Sequence, residues 1–234
     1  MMSHMWVVDL SAELSPATVM WPGDEPMSAT NVEEIDPDGS FCRRVSLSEH
    51  SGTHFDAPRH CVPGGETVAE ISAAKLFRPL RVLDISARAA TDSDAELAID
   101  DVERHETNHG RISDGSAVFL HTGWGRLRND AATYAGSDDR LAFPGYGLEA
   151  ARLLVEQRHV AGIGIDTLSV DAGYTHGFPI HSTVTLPKGV WHVENAINLD
   201  QVPATGAWVV VGVPRVAGAS GFPARVLALV PGDG

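Results

Sequence analysis

The sequence predicts a mixed, β-rich α/β domain, and three observations carry that prediction. Short β-branched stretches recur about eight times, segments with helical signals number only three or four, and the Pro/Gly-rich connections between them are short. In a doubly wound sheet helices alternate with nearly every strand, so this ratio argues against that class. A chain of 234 residues with 43% apolar content can bury a large core and is expected to form a single domain over 1–234.

In chain order, the expected strands begin with 6–10 and 43–47, and the segment 50–60 follows as extended chain because Pro58 disfavours helix at Ala57 while Gly52 and Thr53 are poor helix formers. Thr67-Val-Ala-Glu70 resembles a capping box at a helix start, in which a side-chain oxygen and a carboxylate satisfy unpaired amides. A strand at 80–85 comes next, and Asp100-Asp-Val-Glu103 repeats the capping signal. After a strand at 117–121, the stretch 147–158 carries Leu148, Ala151, Leu154 and Val155 at helical spacing. Strands at 160–165, 190–193, 208–213 and 225–230 complete the series. Gly162-Ile-Gly164 lacks the third glycine and following helix of a dinucleotide site, and no internal repeat or low-complexity tract is visible.

Composition narrows the function. No run approaches the ~18 apolar residues of a membrane helix, so no membrane partner is expected. The opening residues 1–5 lack the basic and apolar regions of a secretion signal and look like a cloning remnant, which leaves His4 little claim to function and makes the cytoplasm the expected compartment. A net charge of -14 would repel a phosphate backbone, which excludes nucleic acid as the expected partner. Cys42 and Cys61 have no CxxC spacing and read as free thiols, with Cys61 beside His60.

The chemistry gathers in "EHSGTHFDAPRH". His50, His54, Asp56 and His60 all occupy even positions, so on an extended chain they project to one side. A straight strand would hold His50 and His54 ~13 Å apart, too far for one ion whose imidazole ligands lie ~2.0–2.1 Å away. Gly52 is the residue able to supply the bend. Two imidazoles and a carboxylate make a catalytic metal set with one position left for water or substrate. The bland alternative is a group of surface or hydrogen-bonded histidines without an ion.

His50-Ser-Gly-Thr-His54-Phe-Asp56-Ala-Pro-Arg-His60 resembles the signature of the metal-dependent cyclase-like hydrolase family, His-x-Gly-Thr-His-x-Asp-x-Pro-x-His, at every specified position. "DLSAELSPATVMWPGDEP", "FLHTGW", "GIGIDTLSVD" and "GFPARVLAL" extend the resemblance over most of the chain. The family includes bacterial kynurenine formamidases and isatin hydrolases. It implies a swivelling β/β/α fold, a homodimer or higher homo-oligomer, one or two zinc or manganese ions, and hydrolysis of an amide beside an aromatic ring, with an aryl formamide such as N-formylkynurenine as the expected substrate and a cyclic amide or lactone as the alternative. His50, His54 and Asp56 correspond to ligands of a first ion, with Asp56 bridging to a second. By the same resemblance His60 is the catalytic acid/base, His181 and Glu194 are the remaining ligands, and Trp21 packs on the substrate's ring. The 13 residues from His181 to Glu194 exceed the family spacing by about one, which suggests an insertion near 187–188 and makes His192, on the face of Glu194, a competing ligand.

Asp166 and Asp171 are expected to cap turns more often than bind a ligand, His121 to form a structural pair, and His176 to reach substrate only as a minority reading. His105, His109 and His159 read as a solvated face, Trp191 and Trp208 as core, and Phe55 as packing opposite the histidines. A rival from another class is a metal-binding regulatory or scaffold protein without chemistry; an intact His60 argues against it.

Overall fold

Ala117, Val118, Phe119 and Leu120 are all fully buried, and a strand with no polar face must be covered on both sides. The computed structural model, which describes residues 5–137 and 140–232, places this stretch at the centre of a nine-stranded sheet; His4 lies outside the described residues. In chain order the strands are β1 (Met5–Asp9), β2 (His54–Asp56), β3 (Phe77–Asp84), β4 (Ala117–His121), β5 (Gly162–Ile165), β6 (Trp191–Glu194), β7 (Trp208–Gly212), β8 (Gly221–Pro223) and β9 (Arg225–Pro231). They lie in the order β1-β9-β7-β3-β4-β5-β6-β2-β8. The β3, β4, β5 and β6 neighbours run parallel, and both wings are antiparallel. The sheet is therefore mixed, as expected.

Alternation along the strands separates two cores. Val118 and Leu120 of β4 join Ile163 and Ile165 of β5 on one face, while Ala117 and Phe119 face Phe55, Trp191 and Val193 on the other. Gly162 and Gly164 point to that second face, where a Cβ would come within 2.3 Å of the Trp191 ring and 2.6 Å of the Phe119 ring. These glycines make room for aromatic rings between strands, which explains Gly-Ile-Gly without a nucleotide. The first face is covered by a helix, α1 (Ile99–His109), and by α2 (Leu148–Arg152), which widens into a π turn over Leu153–Gln157. Ala151, Leu154 and Val155 are buried and Leu148 packs against them, as their spacing predicts.

Several expectations need correction. Thr67 and Glu70 do form the capping contact, at 2.8 Å, but only a turn follows, because Ser72 is extended. The second cap sits earlier than the sequence suggests: Ala98 precedes α1, and Asp101 accepts its amide at 2.9 Å. His105 is buried, sharing the inner side of α1 with Asp101 and Val102, whereas His109 and His159 are exposed as predicted. Trp191 is fully buried but Trp208 is 40% exposed, with its ring against Phe77 on the outer side of the antiparallel wing. The predicted strand at 43–47 lies outside the main sheet: Cys42–Ser46 pairs with Ser28–Glu33 in a two-stranded ribbon that has no buried residue. Among the described residues no helix is long and apolar enough to cross a membrane.

Candidate metal centre

The segment 50–60 converges by turning, and only its middle is a strand. Gly52 has φ +59, a left-handed conformation that costs glycine little, and the reversal brings His50 Nδ1 to 2.7 Å from Asp56 Oδ1. β2 then presents His54 and Asp56 on one side and buries Phe55 on the other, as expected. Pro58–His60 is a 3₁₀ turn that swings His60 over the cluster, its ring centroid 4.0 Å from that of His50. Gly221 on β8 leaves space for His50, since a Cβ there would lie 2.4 Å from His50 Cε1.

β6 supplies the other half. In the antiparallel register His192 lies opposite Asp56 and Glu194 opposite His54, so four polar side chains form a two-by-two array on one face. His181, on a π turn at Ile180–Thr185, closes over it with Nε2 3.2 Å from Glu194 Oε1 and 3.6 Å from Asp56 Oδ2. The predicted ligands His50, His54, Asp56, His181 and Glu194 are thus brought together, and His192 stands among them with Nδ1 3.6 Å from Asp56 Oδ2.

Each imidazole is oriented from behind. His54 Nδ1 donates to the Gly52 carbonyl at 2.8 Å and His181 Nδ1 to Asp171 Oδ2 at 2.6 Å. Ser220 Oγ donates to Glu49 at 2.7 Å and therefore accepts from His50 Nε2 at 3.0 Å. Thr185 Oγ1 donates to the Ile180 carbonyl at 2.6 Å and therefore accepts from His192 Nε2 at 2.7 Å. In each ring the remaining nitrogen faces Asp56, and those of His54 and His181 face Glu194 as well, the arrangement that fixes tautomers around metals. Asp171 thus serves His181, and its carboxylate also accepts the Ile180 and His181 amides. Asp166 instead accepts the Thr122 amide and hydroxyl and holds a turn.

The donor set fits a divalent cation. His54 Nε2, Asp56 Oδ2 and His192 Nδ1 are buried polar atoms with no hydrogen-bond partner, and all three point into the cluster. Ligands held ~2.0–2.1 Å from a tetrahedral ion stand about 3.3–3.4 Å apart. His54 Nε2 lies 3.2 Å from Asp56 Oδ1 and 3.4 Å from Glu194 Oε2. Two groups share Asp56: His50, His54 and Asp56 on one side, Asp56, His181, His192 and Glu194 on the other.

The electrostatics agree. Burial would raise the Asp56 carboxyl, yet His54 and His50 hold it well below the usual carboxylate range. Burial and Asp56 both push Glu194 up, but bonds from His181 and His54 bring it down to about 2. Against the lowering effect of burial, Asp56 and Glu194 raise His54 to about 10, and Asp171, Asp56 and Glu194 raise His181 well above its ordinary value. In the metal-free protein the stabilisation from the raised His54 is complete below about pH 6.5 and is lost as pH rises through about 10. Protons there compete with a cation. Metal binding at pH 8 should therefore release protons, and affinity should rise with pH towards 10. Calorimetry in two buffers of different ionisation heat checks this; identical apparent enthalpies would count against it.

A cavity of about 270 Å³ opens over the cluster, walled by Trp21, Phe178, Val19 and Leu168 and floored by the histidines and Glu194. The Trp21 and Phe178 rings meet edge-on at 5.5 Å. Cys61 lines the same cavity, its thiol pushed up by burial, and Cys42 is a free, exposed thiol. His176 is exposed and outside the lining, while His121 pairs with Asp84 at 3.4 Å in a different depression. Phe178, Thr185, Ser220 and Glu49 are the residues that sequence reasoning missed. Phe178 alone left a faint signal, an aromatic between Gly177 and Pro179 just before His181.

Known proteins share this arrangement of chain. An isatin hydrolase of Roseibium aggregatum is 32% identical over 96% of this chain and 92% of its own length. A kynurenine formamidase of Salinibacter ruber is 27% identical over 95% of this chain and 97% of its own. The solved structure of an isatin hydrolase bound to the product analogue thioisatinate superposes with a TM-score of 0.91 at 29% identity, covering 97% of this chain and 93% of that one. The Cyclase family model matches residues 8–172, a span that includes the whole His50–His60 segment and β5 with the Asp166 that follows it. With similarity to relatives running nearly end to end as well, the chain belongs to the Cyclase family.

Proposed function

We propose that this chain is a metal-dependent hydrolase of an aryl amide carbon–nitrogen bond, and that its substrate is a compact cyclic amide of the isatin kind ahead of N-formylkynurenine. One observation carries the reading: a cluster of four inward-facing imidazoles and two carboxylates lies at the base of an aromatic-walled cavity, onto which His50, His54, His181 and Glu194 open. Two features favour the cyclic substrate. At about 270 Å³ the cavity falls just below the usual range of ligand pockets, about 300–1,000 Å³. No lysine or arginine lines it among the described residues, so the amino-acid carboxylate of a kynurenine would meet no cationic partner. The order of identities, 32% to the isatin hydrolase and 27% to the formamidase, points the same way.

A divalent cation, zinc or manganese, bound in this cluster would supply Lewis acidity and a nucleophile from water at neutral pH. The protein's own groups do the rest. Trp21 and Phe178 take the flat ring of the substrate and exclude water from one side of the carbonyl. His60 sits at the solvent-exposed rim with one face on His50; burial of that face lowers its pKa to about 4, Asp56 opposing and His50 and His181 adding to the effect. It is therefore neutral at pH 7, where it can accept a proton from the nucleophile and pass it to the departing nitrogen. The resemblance implies an acid/base role, and a neutral His60 would serve first as base and then as donor. A scaffold protein would have no use for this cavity.

The test is a hydrolysis screen of the metal-loaded protein against isatin, N-formylkynurenine, simple aryl amides and lactones. Isatin is expected to give the highest kcat/KM, and no turnover of any of them would end the proposal. Trp21→Ala should raise KM for isatin about 10-fold or more, in line with ~1.5–3 kcal/mol for burying a large apolar side chain, with a smaller change in kcat.

We further propose that the protein works as a homodimer. The ribbon Ser28–Glu33 and Cys42–Ser46 has no buried residue on either face, and a bare two-stranded ribbon is only marginally stable in water. It joins Trp21 to His50, so a second copy covering it would also steady the site. Light scattering is expected to return twice the 24.9 kDa monomer mass. A monomer at working concentration would contradict this.

A further inference from the structure

We infer that His192 is a metal ligand through Nδ1, completing a closed position with Asp56, His181 and Glu194, and that Thr185 is the positioning residue that sets its tautomer. The inference rests on the metal-dependent reading above. Three independent features carry it. The first is tautomeric: the single proton of the Thr185 hydroxyl goes to the Ile180 carbonyl, so the oxygen can only accept from His192 Nε2. Nδ1 is then left as a bare lone pair. The second is position, because that lone pair faces Asp56 Oδ2 at 3.6 Å, and both atoms are buried without a hydrogen-bond partner. Two acceptors facing each other in a dry site call for a cation. The third is packing: the His181 and His192 rings stand at 85° with centroids 4.5 Å apart, and their free nitrogens both lie 3.6 Å from the same oxygen, Asp56 Oδ2. An ordinary core histidine satisfied by one hydroxyl would leave Nδ1 stranded beside a carboxylate.

The local backbone supports the same assignment. Thr185 ends the π turn that begins at Ile180, and π turns recur at functional sites because the extra residue redirects side chains. One turn thus carries both the ligand His181 and the residue that orients His192. The consequence is an unequal centre. Four protein groups close one position, of which Asp56 and His192 are absent from the cavity lining. His50, His54 and Asp56 supply only three groups to the other, and His50 and His54 face the cavity. Closed sets hold structural ions and three-residue sets leave room for chemistry, so the deep ion should bind more tightly and stay through turnover.

The direct test is ¹⁵N NMR of the full chain, labelled at histidine and loaded with ¹¹³Cd. Cadmium–nitrogen coupling at His192 Nδ1, with Nε2 protonated, is expected; coupling at the other histidines with none at His192 overturns the inference, whether one ion binds or two. Independently, Thr185→Val should weaken the tighter ion about 10–100-fold, the usual effect of losing a group that orients a ligand, and Thr185→Ser should restore it. Unchanged affinity in Thr185→Val also overturns it. Because the coupling is read on the wild-type chain, a variant that fails to fold does not blunt the test. Hydrolysis by a protein whose His192 is uncoupled sinks this inference alone, whereas full coupling without turnover of any amide sinks only the hydrolase reading.

Discussion

Asp56→Asn should yield a folded protein that holds neither ion and hydrolyses nothing measurable. Asp56 is fully buried and meets every imidazole of the cluster: Oδ1 lies 2.7 Å from His50 and 3.2 Å from His54, and Oδ2 lies 3.6 Å from both His181 and His192. Asparagine keeps the shape and removes the charge. Breaking a buried charge pair typically costs about 3–5 kcal/mol, equivalent to about 10²–10⁴-fold in ion affinity, and both positions share this residue. The metal-free fold should tolerate the change near pH 8. His54 owes its raised pKa first to Asp56, and without that charge it can become neutral rather than remain a buried cation. Elemental analysis after dialysis, beside a thermal melt, reads both halves of the prediction. Full ion content in a well-folded Asp56→Asn protein would falsify the bridging role.

What was legible in the sequence follows from the range over which each feature is encoded. His50, His54, Asp56 and His60 are local, and the residues that bend the chain, Gly52 and Pro58, lie between them. Their convergence could be argued from backbone freedom alone. The strands were legible for a similar reason, since a β-branched run such as 208–213 announces itself. Which face of a strand meets solvent is a property of the sheet as a whole, so Trp208 was misplaced in the core. His105 erred the other way, because a polar-looking helix still needs one side against the sheet, and that side includes Asp101 and Val102. The orienting groups were hardest to read. Ser220 reaches His50 from 170 positions away, and nothing near either residue encodes the contact. His192 could only be ranked as a competitor to His181, because its pairing opposite Asp56 depends on the register of β6 with β2. The resemblance suggested a choice between ligands, whereas in the folded chain both histidines face Asp56 Oδ2.

His60→Ala makes the complementary case, with the ions kept and the chemistry lost. His60 touches the cluster only through ring packing, 4.0 Å from His50 and 5.8 Å from His181 between centroids, and it belongs to neither group of close donor atoms. Ion content and melting temperature should therefore stay near wild type. Turnover should fall about 10²–10⁴-fold, the range for a positioned acid/base group, with KM little changed. Two further readouts separate catalysis from mere packing. Because His60 is exposed at the rim, truncation to Ala leaves an opening to solvent, and added imidazole should restore part of kcat. The wild-type pH profile should also lack a His60 limb near 6.5, since burial holds its pKa down at about 4. An enzyme whose His60→Ala variant loses its ions, or turns over at the wild-type rate, would place this histidine outside proton transfer and leave the departing nitrogen to draw its proton from water.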